Sequence, residues 1–350
     1  MQAYLLFAIT LVLGCLFAYT NGFQDGSSVA ASPIACRSMT RISAVVITAI
    51  CEFSGALFGG SKVASSISQI TNYPRNDTFL VVIVCALIGA ITWNFVTRIL
   101  RVPSSSTHAL VGGLIGAIFA STGNFQYVVF GDWGYMLHPT GVCKVLAALF
   151  VSPLVGFLAG FLTLRIVNFV CARATSHLNV TLKRMQFLVL PVLAFGHGAN
   201  DTQKVMGLVV MALSTQSFGK LLDANVADGG IPLWIRLTVG VFMTIGVVAM
   251  AQGIVKRVGA GIYRMRPVHG FVTELASAAV VLTGSMTGGP VSASQVIAST
   301  VMGVGYAQRR KGVHWLVAKD MLMAWFLTIP SAGFTAFLVY NIFAPLLQIL

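Results

Sequence analysis

Residues 187–207 read FLVLPVLAFGHGANDTQKVMG, and the two halves of this stretch differ sharply in chemistry. The first half is apolar throughout, whereas the second contains glycines together with His197, Asn200, Asp201 and Lys204. The whole chain has 57% hydrophobic and 9% charged residues, while soluble domains contain about 25% charged residues. A carboxylate inside such an apolar chain is costly in free energy. Asp201 is therefore the first candidate for a functional residue.

Apolar stretches recur along the whole chain and have the length needed to cross a bilayer, about 17 to 25 residues. They are continuous, whereas the strands of an outer-membrane barrel alternate in hydrophobicity over about ten residues. We therefore predict an all-α, polytopic membrane protein in the lipid bilayer. Its membrane segments are predicted at residues 2–36, 41–70, 78–100, 106–121, 142–164, 187–213, 233–253, 270–286, 291–307 and 313–344.

The net charge of +13 could suggest a nucleic-acid partner, but the positions of the basic residues indicate a membrane topology instead. One set of loops is acidic and contains Asp77, Asp132, Asp223 and Asp228 against only Arg75 and Lys220. The other set is basic and contains Arg37, Arg41, Arg165, Arg173, Lys183, Arg184, Lys256, Arg257, Arg264, Arg266, Arg309, Arg310 and Lys311. Cytoplasmic loops are enriched in Lys and Arg. We therefore predict a cytoplasmic-membrane protein with basic loops inside, both termini external and no nucleic-acid partner.

Two sequence elements occur once in each half of the chain, in the same order. NGFQDGSSVAA at 21–31 resembles HGANDTQKVMG at 197–207, and each contains an aspartate. Further along, PSSSTHALVGGLIG at 103–116 resembles PVSASQVIASTVMG at 290–303. We predict two transmembrane repeats joined by a cytoplasmic linker, with the first repeat at 1–164, the linker at 165–186 and the second repeat at 187–350.

The loop charges predict that the first repeat begins outside the cell and the second inside, so that the repeats are inverted. Inverted repeats with broken helices are typical of secondary transporters, whose sites lie at the repeat interface near the bilayer midplane. We expect the helix breaks at the glycine-rich elements NGFQDG and GHGAND. Residues 78–121 and 270–307 are each predicted to form a re-entrant helical hairpin, and two full membrane spans are the alternative that periodicity leaves open.

Carboxylates within apolar segments predict a cation site, because buried ionised groups usually face a partner or a wet cavity. A helix unwound at glycine also frees backbone carbonyls that need a partner inside the membrane. Carboxylate, carbonyl and amide oxygens suit Na⁺, and a carboxylate with a raised pKa would accept H⁺ instead. The predicted cation-binding and coupling residues are Asp25, Asp201, Glu52, Glu274, Asn21 and Gln24. Asp25 and Asp201 are the sodium ligands if the ion is sodium, and no other cofactor is expected.

The serine-rich elements predict an anion site. Each element should begin a helix, where free backbone N–H groups and the positive end of the helix dipole attract anions. Two such elements facing one region would surround a tetrahedral dianion with hydroxyl groups and helix ends. For either element alone, ordinary helix N-capping is the alternative. The predicted anion ligands are the hydroxyl groups of Ser104, Ser105, Ser106, Thr107, Ser292 and Ser294.

Other polar side chains lie within or beside these elements. Lys204 follows Asp201 by three residues, so it either pairs with that carboxylate or faces the anion, and pairing is favoured. Gln295 replaces His108 in the second serine element, which favours a hydrogen-bonding role over a catalytic base. No HExxH motif accompanies His197, and no nucleophile with an adjacent base can be assembled. We therefore expect a protein that is not an enzyme.

Together these elements resemble the signatures of the inorganic phosphate transporter (PiT) family, a group of cation-coupled phosphate permeases. The glycine-asparagine-aspartate motif of the family stands as GANDT at 198–202 and, modified, as GFQDG at 22–26. Its proline-serine-serine-threonine-histidine element stands as PSSSTH at 103–108, with a looser copy, PVSASQ, at 290–295. Two membrane glutamates of the family match Glu52 in CEFSGA and Glu274 in GFVTELASAAV.

The resemblance implies an inverted-repeat transporter, a homodimer, which moves inorganic phosphate together with Na⁺ or H⁺. It also implies that Asn200 and Thr202 lie beside phosphate, close to the two aspartates. We expect the cation to neutralise the buried carboxylates first, because they would repel an incoming dianion. A sulfate or related oxyanion permease of the same fold and a passive anion channel are the alternatives.

Overall fold

The structure is a computed structural model that describes residues 2–100, 104–131, 139–173, 175, 177–218, 230–249, 262–263 and 265–349, except for the side chains of 317 and 344–349. Every predicted site residue lies within these ranges. Some residues that support the topology and motif predictions lie outside the described ranges. They are Pro103, Asp132, Lys220, Asp223, Asp228, Lys256, Arg257 and Arg264.

Helices account for almost all of the described chain. They are α1 (Gln2–Val29), α2 (Ala31–Ala35), α3 (Arg41–Phe58), α4 (Lys62–Ser68), α5 (Asp77–Ile99), α6 (Ser106–Thr122), α7 (Gly141–Val170), α8 (His177–Leu213), α9 (Leu233–Ala249), α10 (Pro267–Thr287), α11 (Ala293–Gln308) and α12 (Trp315–Ile349), with a short 3-10 helix at Arg310–Gly312. Within the described ranges, extended pairing is limited to one antiparallel bridge between Thr71 and Val128. The prediction of an all-α protein is confirmed.

Seven helices of the described chain are long and apolar enough to cross a membrane. They are α1, α3, α5, α7, α8, α10 and the part of α12 at Ala318–Phe343, and α6 and α9 are shorter apolar helices. The outer surface agrees with this assignment. In α7, Leu158, Leu162 and Ile166 recur every four residues and are exposed, whereas Gly160 and Leu164 on the other face are buried. A continuous apolar surface of this kind is stable against lipid, and the protein is a multi-pass membrane protein.

The predicted helix breaks at NGFQDG and GHGAND are wrong. Both elements lie inside continuous helices, α1 and α8. Their glycines serve a different purpose, because a Cβ atom at Gly22 would collide with the carbonyl oxygen of Met243 in α9. A Cβ atom at Gly198 would collide with the backbone of Glu52 in α3. Glycine therefore allows close helix contact at these positions and does not unwind the helix.

Two helical hairpins occupy the segments predicted for them. The first joins α5 to α6, and Ser105 caps α6 by accepting a hydrogen bond from the backbone N–H of His108 at 3.3 Å. The second joins α10 to α11 and turns at Gly288, whose φ of 74° lies in the left-handed region that favours glycine. His108 Nδ1 and Gln295 Nε2 lie 3.3 Å apart. The first turns of α6 and α11 therefore meet inside the protein, and the re-entrant character of the two hairpins stays a prediction.

Helices of one half pack against helices of the other. The hairpin helix α6 packs against α12, and α11 packs in the same way against α7. Likewise α1 packs against α9, and α3 against α8. Since α7 ends at Val170 and α8 begins at His177, most of the predicted linker at 165–186 is helical. The core of the molecule is thus built jointly by both halves.

Candidate functional site

The helices bring three carboxylates and one imidazole together in the centre of the protein. His197 of α8 lies between Glu52 of α3 and Asp201 of α8, and all three side chains are buried. His197 Nδ1 is 2.7 Å from Glu52 Oε1, and Nε2 is 3.3 Å from Asp201 Oδ2. The second contact is close enough for an ion pair but is not aligned as a hydrogen bond. Asp25 of α1 completes the group, which we call the acidic cluster: Asp25, Glu52, His197 and Asp201.

One side of the acidic cluster has the ligands for a cation. Asp25, His197 and Asp201 each offer one ligand atom, and these atoms lie within 4.8 Å of one another. Asp25 Oδ2 accepts a hydrogen bond from Ser106 Oγ at 2.6 Å. Asp25 Oδ1 and Asp201 Oδ2 are buried and have no hydrogen-bond partner among the described residues. Buried polar atoms without partners are rare, so these oxygens fit a bound cation or proton. The structure thus brings both predicted aspartates together.

Lys204 links the acidic cluster to both hairpins. Its Nζ lies 2.5 Å from Asp201 Oδ1, which is the pairing favoured from the sequence spacing. The same nitrogen donates to Thr107 Oγ1 at 2.6 Å and to the carbonyl oxygen of Val291 at 2.8 Å. Thr107 belongs to α6, and Val291 to the turn between α10 and α11. The fully buried ammonium group thus has an acceptor for each of its three protons.

The first serine element contacts the acidic cluster at Asp25 and also bonds residues next to the cluster. Ser104 Oγ accepts a hydrogen bond from Gln24 Nε2 at 3.0 Å and lies 2.8 Å from Thr97 Oγ1. Ser106 donates to Asp25, and Thr107 accepts from Lys204. Ser105 serves as the N-cap of α6, so the capping alternative applies to this one residue.

The second serine element makes fewer contacts. Ser292 Oγ and Ser294 Oγ lie 3.3 Å apart, and both side chains are buried at the start of α11. Ser292 occupies the N-cap position but makes no capping hydrogen bond with its side chain. The hydroxyl groups of this element are therefore available to a ligand near the N-terminus of α11.

The remaining predicted residues fall in different places. Asn200 Nδ2 donates to the carbonyl oxygen of Gly289 at 3.0 Å, so Asn200 contacts the second hairpin turn, while its Oδ1 has no partner among the described residues. Thr202 Oγ1 donates to the carbonyl of Gly198 at 2.6 Å, within its own helix. Asn21 is buried, and both its amide atoms lack a described partner.

Glu274 stands apart from the acidic cluster. Both of its carboxylate oxygens are buried, and none of the described hydrogen bonds or ion pairs joins it to the other predicted residues. It lies one helical turn after Gly270, which packs against Cys36 and Gln186. The structure therefore groups Glu52 with the two aspartates and does not connect Glu274 to them.

Two important residues were not included among the predicted ligands. His197 and Lys204 lie four and three residues from Asp201, so the helical spacing alone places them on one face with it. Gln203 was missed as well: its Oε1 accepts from the backbone N–H of Val63 at 2.9 Å, and its Nε2 donates to the carbonyl of Gly59 at 2.9 Å. Gln203 thereby supports the break between α3 and α4, a role without any signal in the sequence.

Comparisons with known proteins extend over nearly the whole chain. The chain matches the sequence profile of the phosphate transporter family over residues 21–336. A Bacillus subtilis (strain 168) protein named "Probable low-affinity inorganic phosphate transporter" is 32% identical over 346 residues, which cover 97% of this chain and 99% of the relative. A Rhizobium meliloti (strain 1021) protein of the same name is 32% identical over 331 residues, 94% of each chain.

A solved structure shares the fold. "The sodium-dependent phosphate transporter" superimposes with a TM-score of 0.83 at 23% sequence identity, covering 97% of this chain and 99% of its own. The matching family and the named relatives are transporters, which confirms the expectation that the protein is not an enzyme. The profile match and the 32% identity to full-length relatives also confirm the family resemblance carried by the sequence motifs. This chain belongs to the phosphate transporter family.

Proposed function

We propose that this protein is a secondary active transporter that imports inorganic phosphate by symport with a cation, Na⁺ or H⁺. The observation that carries the proposal is that anion-type and cation-type ligands share one site. Ser106 at the N-terminus of α6 donates to Asp25, and its neighbour Thr107 accepts from Lys204, which pairs with Asp201. A phosphate bound at this helix end therefore lies next to the carboxylates.

Electrostatics between the two ions supplies the coupling. Two unit charges 4 Å apart interact by about 4 kcal/mol at an effective dielectric constant of 20. Because each 1.4 kcal/mol changes affinity about tenfold, a bare carboxylate at Asp25 strongly weakens the binding of phosphate. A cation held between Asp25 Oδ1 and Asp201 Oδ2 removes this repulsion. Each ion then raises the affinity for the other, which is the thermodynamic basis of symport.

Alternating access requires the hairpins to move, because Ser104, Thr107 and Ser292 are buried in this conformation. We propose that the α5–α6 and α10–α11 hairpins are re-entrant and move against α1 and α8 around the loaded site. One helix of each hairpin packs against a helix of the other half, α6 against α12 and α11 against α7. This reciprocal packing supports the mechanism, because inverted repeats related by a two-fold axis produce it.

The loop charges support an orientation in the membrane. With the basic loops inside, both termini are external and the protein lies in the cytoplasmic membrane. The polypeptide functions as a homodimer in this proposal, and the mass of the purified protein in detergent measures that assembly.

Uptake of radiolabelled phosphate into proteoliposomes tests the proposal, with sodium and proton gradients imposed separately. We expect at least one gradient to drive accumulation against the phosphate gradient. Asp25→Asn should abolish this cation-driven accumulation while inserting normally. The matched control is Asp77→Asn, which removes an exposed carboxylate at the start of α5 and should accumulate phosphate normally. Accumulation by Asp25→Asn at the wild-type level would remove Asp25 from the coupling mechanism.

The same vesicles separate the alternatives. A passive channel equilibrates phosphate and ignores imposed cation gradients. Phosphate changes its charge near neutral pH and sulfate does not, so labelled sulfate uptake across pH distinguishes an oxyanion permease. We expect phosphate to be preferred, and sodium is the first cation to test because the structural relative is named as sodium-dependent.

A further inference from the structure

The surroundings of the Lys204 ammonium group resemble a cation site. Its nitrogen lies 2.5 to 2.8 Å from a carboxylate oxygen, a hydroxyl oxygen and a backbone carbonyl oxygen. Hard metal cations are bound by oxygens of these same three kinds, and in transporters such sites occur where broken helices meet. The three oxygens come from α8, from α6 and from the turn between α10 and α11, so they converge from separate elements and form an enclosed cage.

The charge in this cage cannot leave. Lys204 is only 1% exposed, and its nitrogen is attached to α8, the helix that carries Asp201. A mobile cation in the same position would have to be released in every transport cycle. Asp201 therefore has a permanent counter-ion on its Oδ1 side. Asp25 Oδ1 and Asp201 Oδ2, neither of which accepts a hydrogen bond from a described residue, remain for a mobile cation.

We infer that Lys204 is a tethered cation that takes the place of one coupling ion between Asp201, Thr107 and Val291. The inference rests on the proposed cation-coupled transport and makes Lys204 the residue that sets how many mobile cations accompany phosphate. Truncation of the side chain leaves a cage of three oxygens around the volume that the ammonium filled. A small monovalent cation such as sodium then enters that cage.

The test compares Lys204→Ala and the neutral, similarly sized Lys204→Met with wild type. The first readout is the melting temperature of the purified protein in detergent, in sodium chloride against choline chloride. A cation that binds only the folded state raises the melting temperature. We expect Lys204→Ala to gain about 3 °C or more in sodium beyond the wild-type response. Lys311→Ala, which removes an exposed lysine in the 3-10 helix Arg310–Gly312, should respond like wild type.

Two further measurements sharpen the test. Addition of Thr107→Val to Lys204→Ala removes one ligand of the cage and should cancel most of the gained sodium response. In proteoliposomes at fixed pH, the sodium dependence of phosphate uptake by Lys204→Ala should become steeper, with a Hill coefficient higher by about one than wild type. A variant that yields folded protein in sodium but not in choline also supports the inference.

The inference is overturned if sodium neither stabilises nor recovers Lys204→Ala beyond its effect on wild type. It is also overturned if sodium stabilises Lys204→Met as much as Lys204→Ala, because the methionine side chain fills the volume that the cation would enter. An undiminished sodium response in the Thr107→Val double variant also overturns it, because the added ion would then lie elsewhere. The melting assay needs no movement of phosphate. Its result therefore stands even if the wild-type protein fails to accumulate phosphate, which would contradict the proposed function separately.

Discussion

His197 illustrates, at the scale of single residues, how the acidic cluster tolerates buried carboxylates. Its imidazole contacts Glu52 at 2.7 Å and Asp201 at 3.3 Å, and Lys204 contacts Asp201 from the other side. A buried ion pair gains little net stability, because removing both charges from water is costly. Losing one partner is different, since the other charge then remains buried and unpaired. The contribution of each side chain therefore depends on its neighbour.

This dependence predicts strong non-additivity between His197 and Glu52. Loss of the imidazole in His197→Ala leaves the Glu52 carboxylate without its hydrogen bond and should cost about 3–5 kcal/mol of unfolding free energy. The double variant His197→Ala/Glu52→Gln should lose clearly less than the sum of its two single changes. Denaturant unfolding in detergent micelles measures all three values.

A matched control for this cycle is His177→Ala, which removes an exposed histidine at the start of the same helix. Surface changes of this kind usually alter stability by no more than about 0.5 kcal/mol. If the two single changes at the cluster add up within error in the double variant, the contact does not contribute to stability as described.

At the scale of helices, glycine sets how closely the elements approach. Gly22 of α1 faces the Met243 carbonyl of α9, and Gly246 of α9 faces the Tyr19 carbonyl of α1. The two glycines thus form reciprocal contacts in one helix crossing. Close backbone approach through small residues is a common way for helices to associate in membranes. It holds α1 in the position that carries Asp25 to the site.

Two alanine substitutions in α1 should differ in their effect on stability, because only Gly22 lies in the α1–α9 crossing. Gly22→Ala should destabilise the protein by roughly 1–3 kcal/mol or more, because the added methyl group forces the two helices apart. Gly14→Ala adds its methyl group at 3.4 Å from Val205, an ordinary contact distance, and should be neutral or stabilising. Melting temperatures of the two variants in the same detergent provide the comparison, and equal losses would contradict the proposed packing.

At the scale of the whole molecule, neither half of the chain has a complete core. The hairpin helix α6 packs against α12 of the other half, and α11 packs against α7. Lys204 also connects the halves, because it donates a hydrogen bond to Thr107, which lies 97 residues away in the chain. A core shared in this way makes the two halves dependent on each other for folding.

This dependence predicts the behaviour of a split protein. Fragments 1–173 and 177–350, expressed separately, should aggregate or be degraded, because each exposes the helix faces that the other half covers. Co-expressed from one cell, they should co-purify as a complex through an affinity tag on either fragment. A single half that is monodisperse and resistant to protease would show that the repeats fold independently.

Much of the architecture follows from the sequence because its signals are local. Hydrophobic runs longer than a bilayer is thick require helices in a membrane, whatever the tertiary arrangement. The duplicated motifs around Asp25 and Asp201 and the two serine elements contain most of the residues that line the candidate site. Helical spacing also predicted the pair between Lys204 and Asp201, since residues three apart lie on one face.

Other features depend on contacts that no local pattern contains. Glu52 and His197 lie 145 residues apart, and only the packing of α3 against α8 joins them. Glu274 carries the same chemical signal as Glu52, yet the fold leaves it outside the acidic cluster. The glycines of NGFQDG and GHGAND were consistent with either an unwound helix or a close helix contact. The sequence by itself therefore determined the membrane helices and the candidate residues. Tertiary packing decided which of these residues meet, because a glycine or a carboxylate acquires its role only from the neighbour placed against it.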